Sequence, residues 1–242
     1  ATLITICVGL GVWLLPLAAL GVLAEQTVLP ELAQFFAKLA VVTFGGAYAV
    51  LAYMGQEVVT HHHWLSTGEM MDGLGLAETT PGPLILVTEF VGFIAGYRDA
   101  LATESGNVWG DVWGAVFFGS LAAVVTLWAT FAPCFLWIFS VGPYVEWIVA
   151  QPRLNAALRF ITAAVVGVIA NLSIWFALHV FFTDVQSVKT GIITTLSPTL
   201  SSLDWRVVPI VLIAGFLVFI RQWDSWKIVF LAALLGVFIS QI

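Results

Sequence analysis

"GLGLAETTPGPLILVTEFVGFIAG", residues 73–96, is apolar enough for a bilayer yet broken in its middle. Pro81 and Pro83 each lack an N–H and disfavour helix for the residue before them, and Gly82 lets the chain turn. Inside lipid every backbone N–H and C=O needs a partner, so a non-helical stretch is tolerated only where protein or a water-filled cavity surrounds it. The spacing therefore predicts two half-length helices within 68–96, joined by a non-helical bridge at Pro81-Gly82-Pro83. Pro83 suits the first turn of the second half-helix. The free N–H groups and positive dipole end of that half-helix form an anion site from backbone alone. A single proline in a membrane helix usually only kinks it. Two prolines, a glycine, two threonines and a glutamate within six residues fit a working break better, as transporters use near the bilayer midplane.

The rest of the chain agrees with a membrane setting. Of 242 residues, 61% are hydrophobic and 9% charged, whereas a soluble domain carries about a quarter charged residues. The fold class expected is all-α: a polytopic helical bundle of about six or seven membrane segments, some of them broken. A span is expected at 3–23, with a kink at Pro16. A second helix is expected over 31–58, a polar loop "THHHWLSTGE" at 60–69, and a helix start at Ser66 or Thr67 with Glu69. After a loop at 97–111, with Trp109 and Trp113 as interfacial anchors, a long run at 112–141 is bent or ended near Pro133. An interfacial helix is expected at 142–159 and a span at 157–182. A polar linker (183–205) and two short apolar runs (207–220 and 228–241) follow. The chain reads as one membrane transporter domain over 1–242, with its motifs in 31–97 and C-terminal helices in 107–242.

A second weak point is "TFGGAYAV" at 43–50. Adjacent glycines weaken a helix and admit another backbone, so Gly45-Gly46 and Pro81-Gly82-Pro83 are expected to lie together. Thr43, Thr79 and Thr80 would supply hydroxyls there. Ionisable residues at membrane depth are costly and usually functional. Glu78 and Glu89 are the best candidates, with Glu57 and Asp72 nearer the segment ends. Burial favours the neutral acid, so Glu78 or Glu89 is suited to carry a proton. These segments hold no Lys or Arg at depth, because Lys38 and Arg98 sit at their ends. "HHH" at 61–63 reads as a solvated loop, since adjacent histidines do not share a helical face. His179 reads as packed or hydrogen-bonded. Cys7 and Cys134 read as buried small residues. The net charge of −6 and the lack of a basic patch argue against nucleic acid. No nucleophile–base, zinc or phosphate-loop motif is visible, so no enzyme activity, metal or cofactor is expected.

"TFGGAYAVLAYMGQEVV" followed by "WLSTGEMMDGLGLAETTPGPLILVTEFVGF" resembles the chromate ion transporter family. The shared pattern is a helix bearing FGG and a downstream PGP break, over 43–93. The phrases "GQE" and "AETTPGP" resemble the second half of a long family member, and the absence of an initiator Met fits an excised half. The resemblance implies chromate efflux across the bacterial inner membrane driven by the proton-motive force, a homologous half or a homo- or heterodimer as partner, and no cofactor. It places the substrate at Phe44, Gly45, Gly46, Pro81, Gly82 and Pro83, beside Gln56, Glu57 and Glu78. Three alternatives remain: transport of sulfate, transport of a cation drawn by the carboxylates, or a non-transporting half that acts only with its partner.

Overall fold

The computed structural model of the chain describes residues 2–42, 47–80, 82–102, 112–190 and 193–240. Two compact units divide it: Ala1–Ala77 with Gly82–Ile169, and Glu78–Pro81 with Ala170–Ile242. The first holds α1 (Thr2–Leu23), α2 (Leu29–Val42), α3 (Ala47–Thr60) and most of α4 (Thr67–Thr79). It also holds α5 (Val87–Ala102), α6 (Val112–Val141), α7 (Val145–Val149) and the first part of α8 (Pro152–Phe181). α1, α6 with α7, and α8 are long and apolar enough to cross a membrane.

α6 is the post of this unit, and α5, α2 and α1 pack along it. Against α5 the approach is close because the seam is built of small residues. A Cβ on Gly96 would stand 2.5 Å from the Ala122 Cβ, one on Gly92 would stand 2.6 Å from the Thr126 Cγ2, and one on Gly119 would stand 2.9 Å from the Phe93 carbonyl. Small residues let membrane helices approach to backbone contact, which replaces the hydrophobic drive that lipid does not supply. These pairs fix α5 antiparallel to α6. One turn further along the same register, Thr88 faces the level of Thr130.

α6 runs unbroken through Pro133. Pro133 donates no hydrogen bond to the carbonyl four residues back, that of Ala129. The indole N–H of Trp13 on α1 donates to this carbonyl at 3.1 Å, in a buried position. Trp13 is the one buried side chain of α1 among the described residues, so the docking of α1 rests on it. α1 is about 33 Å long, the thickness of a bilayer's hydrocarbon core. Trp13 lies near its midpoint. The Trp13–Ala129 bond therefore marks the bilayer centre. Toward the ends the same antiparallel pairing continues, with Gly9 against Leu136 and Thr2 Oγ1 3.2 Å from the Tyr144 hydroxyl.

In the second unit, α8 ends in a segment that pairs as an antiparallel β-hairpin, β1 (Val185–Thr190) with β2 (Ile193–Pro198). It replaces the polar linker expected at 183–205. Ser202 and Asp184 close the hairpin's base, where Thr199 donates to the Asp184 carboxylate at 2.9 Å. α9 (Val207–Phe219) and α10 (Ser225–Ser240) then pack together through Ile210, Ala214 and Leu217 against Ile228, Leu231 and Leu235. The turn between them is held by Lys227 on Asp224 at 2.6 Å. That ammonium holds the Asp224 carboxyl below its usual range.

Four further expectations change. α5 continues to Ala102, so 97–102 is helix and not loop; Trp109 lies outside the described residues, and Trp113 is exposed in the first turn of α6. The interfacial helix expected at 142–159 is only a 3-10 turn (Gly142–Tyr144) and α7, because α8 takes over from Pro152. Cys7 and Cys134 are exposed rather than buried, since they lie on outward faces of α1 and α6. The helix expected over 31–58 is two helices, α2 and α3.

Replacing Trp13 by Phe keeps most of the apolar area and leaves the Ala129 carbonyl without its donor. The expected loss is about 0.5–2 kcal/mol in detergent unfolding. In a Pro133→Ala background the new N–H serves Ala129, so the same replacement should cost clearly less. Equal costs in both backgrounds would refute the pairing.

Candidate functional site: two folded-back helix pairs

α2 and α3 turn back on each other. On one straight helix, Phe35 and Tyr53 would stand about 27 Å apart. Their rings stack at 6.4 Å, and Phe35 also meets His62 at 5.2 Å and Trp64 at 5.6 Å. α4 and α5 do the same. Phe90 of α5 fills the space over Gly73 of α4, and Arg98 near the end of α5 bonds Glu69 near the start of α4 at 2.5 Å. In each pair the outer termini lie at one end, α2's start with α3's end and α4's start with α5's end.

The two pairs share one base. Arg98 Nη1 donates to the Trp64 carbonyl at 2.9 Å, at the foot of α3. Asp99 accepts from the Val28 N–H at 3.1 Å, at the foot of α2. α4 starts in a capping box: the Ser66 N–H and hydroxyl both donate to Glu69 Oε2 at 2.8 Å, and the Glu69 N–H returns to Ser66 Oγ at 3.3 Å. The Ser66 N–H, first of all, and then its hydroxyl and the Arg98 charge hold the Glu69 carboxyl below its usual range.

At the break end, α3 packs on the 3-10 turn Leu84–Leu86 that leads into α5. The chain leaving each weak stretch thus meets the other. Thr43, Phe44, Gly45, Gly46 and Pro81 lie outside the described residues, so the expected proximity of the two motifs is carried by their flanks alone. Pro83 sits one position before the first turn, in extended backbone, rather than inside it. The Leu86 N–H donates to the Pro83 carbonyl at 3.0 Å. The earlier N–H groups of Leu84 and Ile85 precede the first helical bond and are not used by the helix itself. Both residues are half-buried, and Gly82 is exposed. A short cradle of backbone donors results, at the positive end of α5.

The acids spread over both ends. Glu89 is in the first turn of α5, where its carboxylate complements the dipole and competes with any bound anion for the same field. Glu78 is exposed in the last turn of α4, and Thr79 and Thr80 follow it into the break. Glu57 lies near the foot of α3 and pairs with His61 at 3.3 Å, with Gln56 beside it, so it stands at the far end of its helix from the break. Asp72 is exposed on α4.

"HHH" terminates α3. His63 takes φ 54, the left-handed turn of a helix C-terminus, and the Trp64 N–H closes back on Val58 at 2.9 Å. His62 is half-buried, stacked on Trp64 at 4.1 Å. His179 is packed on Trp175 and hydrogen-bonded to its carbonyl at 2.8 Å.

Thr88 went unread in the sequence. It is fully buried on the α5–α6 seam, and its hydroxyl has no hydrogen-bond partner among the described residues. Nothing in an isolated "VTEF" signals this, because the burial comes from Gly92 and Gly96 drawing α6 close.

A polytopic helical membrane protein with paired half-helices is the class that these observations define. The chain belongs to the chromate transporter family, whose model matches residues 30–237. It is 29% identical to a chromate transport protein of Pseudomonas aeruginosa over 76% of this chain and 40% of that protein. It is 28% identical to one of Cupriavidus metallidurans, over 64% and 33%, and 27% identical to a probable chromate transport protein of Synechococcus elongatus, over 67% and 36%. The chain thus spans about a third to two fifths of the curated relatives it matches. No solved structure matches it.

The lowered Glu69 carboxyl gives a signed prediction. Its contribution is complete above the ordinary glutamate pKa of about 4.3 and is lost as pH falls through the lowered folded value. Glu69→Gln should remove that acid-side loss, and Ser66→Ala should cost about 1 kcal/mol at neutral pH. Thermal unfolding in detergent from pH 7 to pH 3 reads both, and unchanged acid sensitivity in Glu69→Gln would contradict the cap.

Proposed function

We propose that this chain is a secondary transporter of chromate, exporting it across the bacterial inner membrane under the proton-motive force as a single transporter domain. The reading is supported most directly by the folded-back α4–α5 pair, whose break leaves the Leu84 and Ile85 N–H groups outside the helix's own hydrogen bonds. An oxyanion dianion takes such donors readily. Gly82, Pro83 and the N–H groups of Leu84 and Ile85 bind it. Thr43, Phe44, Gly45, Gly46, Thr79, Thr80 and Pro81 complete the site. Glu78 and Glu89 repel a dianion while charged, so protonation accompanies its binding and couples flux to pH. Glu57 exchanges protons at the membrane face. A homologous half or a second copy completes the protein, in keeping with the share of its relatives that the chain spans.

The test is chromate flux into vesicles holding this chain alone or with a co-expressed homologous half, at two pH values and with sulfate as competitor. Saturable flux is expected, changing by up to about tenfold per pH unit for a one-proton coupling, and Glu78→Gln should flatten that dependence. Flux with both pH dependence and Glu78→Gln behaviour unchanged would remove the coupling. No chromate flux in either preparation would remove the transport reading.

A further inference from the structure

Chromate carries two negative charges, and the sequence places its cations, Lys38 and Arg98, at the segment ends. The fold leaves Arg98 at the shared base but moves Lys38. α2 starts at Leu29, with Val28 held by Asp99 at the membrane face. Leu23, at the same end of α1, lies about 15 Å along the helix from Trp13, which marks the bilayer centre. Lys38 lies nine residues above Leu29, a rise of about 14 Å. Lys38 therefore reaches the central plane of the membrane, one turn short of the end of α2.

The face it occupies matters as much as its depth. Leu29, Leu32, Ala33, Phe35, Phe36 and Leu39 are the buried side of α2. Glu31, Gln34 and Lys38 are exposed, and their spacing of three and then four residues makes one continuous polar stripe. Among the described residues the Lys38 ammonium has no carboxylate within ion-pair distance. A charged residue at this depth faces water or protein, not lipid. Its four-carbon stem covers less than half the distance back to the interface, so it cannot snorkel out.

We propose that the Glu31–Gln34–Lys38 face of α2 lines the aqueous path through the membrane centre. There the Lys38 ammonium is the positive charge that receives the dianion as it reaches the backbone cradle. This rests on the transport reading for the identity of the anion, but the wet face and its charge stand on the fold. Arginine preserves the charge and glutamine removes it. Arg98 does not substitute, since its guanidinium is committed to Trp64 and Glu69 at the base.

Two measurements test it separately. In a Cys7→Ser/Cys134→Ser background, Lys38→Cys is exposed to a membrane-impermeant thiol reagent in vesicles, with Leu39→Cys as the buried control. Labelling at 38 and not at 39 is expected, slowed several-fold by molybdate, a tetrahedral dianion that does not oxidise thiols. No labelling at 38 overturns the wet face, and labelling indifferent to molybdate and sulfate overturns the anion contact. Chromate flux is then compared in the preparation that carries it: Lys38→Gln should lose about tenfold or more, while Lys38→Arg stays within about threefold of the parent. Flux of Lys38→Gln equal to the parent overturns the assignment. Labelling with molybdate protection but no chromate flux in either preparation, with the parent Lys38 in place, would leave Lys38 as an anion contact and refute chromate transport instead.

Discussion

An orphan carbonyl at the bilayer centre organises the first unit. Pro133 leaves Ala129 without its helical partner, and lipid supplies none. Trp13 answers from α1, and the length of α1 then sets the depth of everything packed on α6. Once α1 and α6 are fixed as full crossings, α5 is placed by its glycine seam and α2 by its row of buried apolar residues. α2, α3, α4 and α5 are too short to count as crossings, and they fold back as the pairs α2–α3 and α4–α5.

Those pairs follow the same rule. A half-helix that stops inside the membrane exposes unused backbone groups at its end. The structure packs α3 on the turn that leads into α5 and ties the opposite ends together with charge, through Arg98 and Asp99. Polar groups are thus sorted by height: committed ion pairs at the face, where water can also help, and uncommitted donors within.

The break at Pro81-Gly82-Pro83 was legible because Pro and Gly act on the backbone, whatever surrounds them. The capping box at Ser66 and Glu69 was legible for a similar reason, being local. The reversal between α2 and α3 was not, because an apolar helix crossing once and two apolar half-helices returning have nearly the same hydropathy; ring stacking at Phe35 and the base shared through Arg98 and Asp99 separate them. The depth of Lys38 was hidden by the same error, since the first third of an expected 28-residue crossing and the upper part of a 14-residue half-helix are different places. "YRDALA" looked like loop because its charges suggest water, yet Arg98 and Asp99 are bonded to neighbouring segments. The β-hairpin was hidden in a Ser- and Thr-rich stretch whose alternation is weak. Cys7 and Cys134 point outward because, in lipid, an outward position carries no penalty for a small apolar side chain. Most of the residues expected to form the site lie in sequence between α2 and α3 or between α4 and α5, where sequence identifies the residues and not their partners.

The shared base also changes which side of the membrane the segment between α3 and α4 occupies. Counted by hydropathy, 31–58 and 68–96 are two crossings, and "HHHWLS" between them would face the compartment opposite to the one where α1 ends. Folded back, both pairs return to where they entered, and this segment lies on the same side as the end of α1. The two miscounted passages cancel in parity, so α6 and all that follows keep the same sidedness under either scheme. A reporter fused beyond α5 is therefore blind to the difference, and residues 61–66 are the place where the two topologies part.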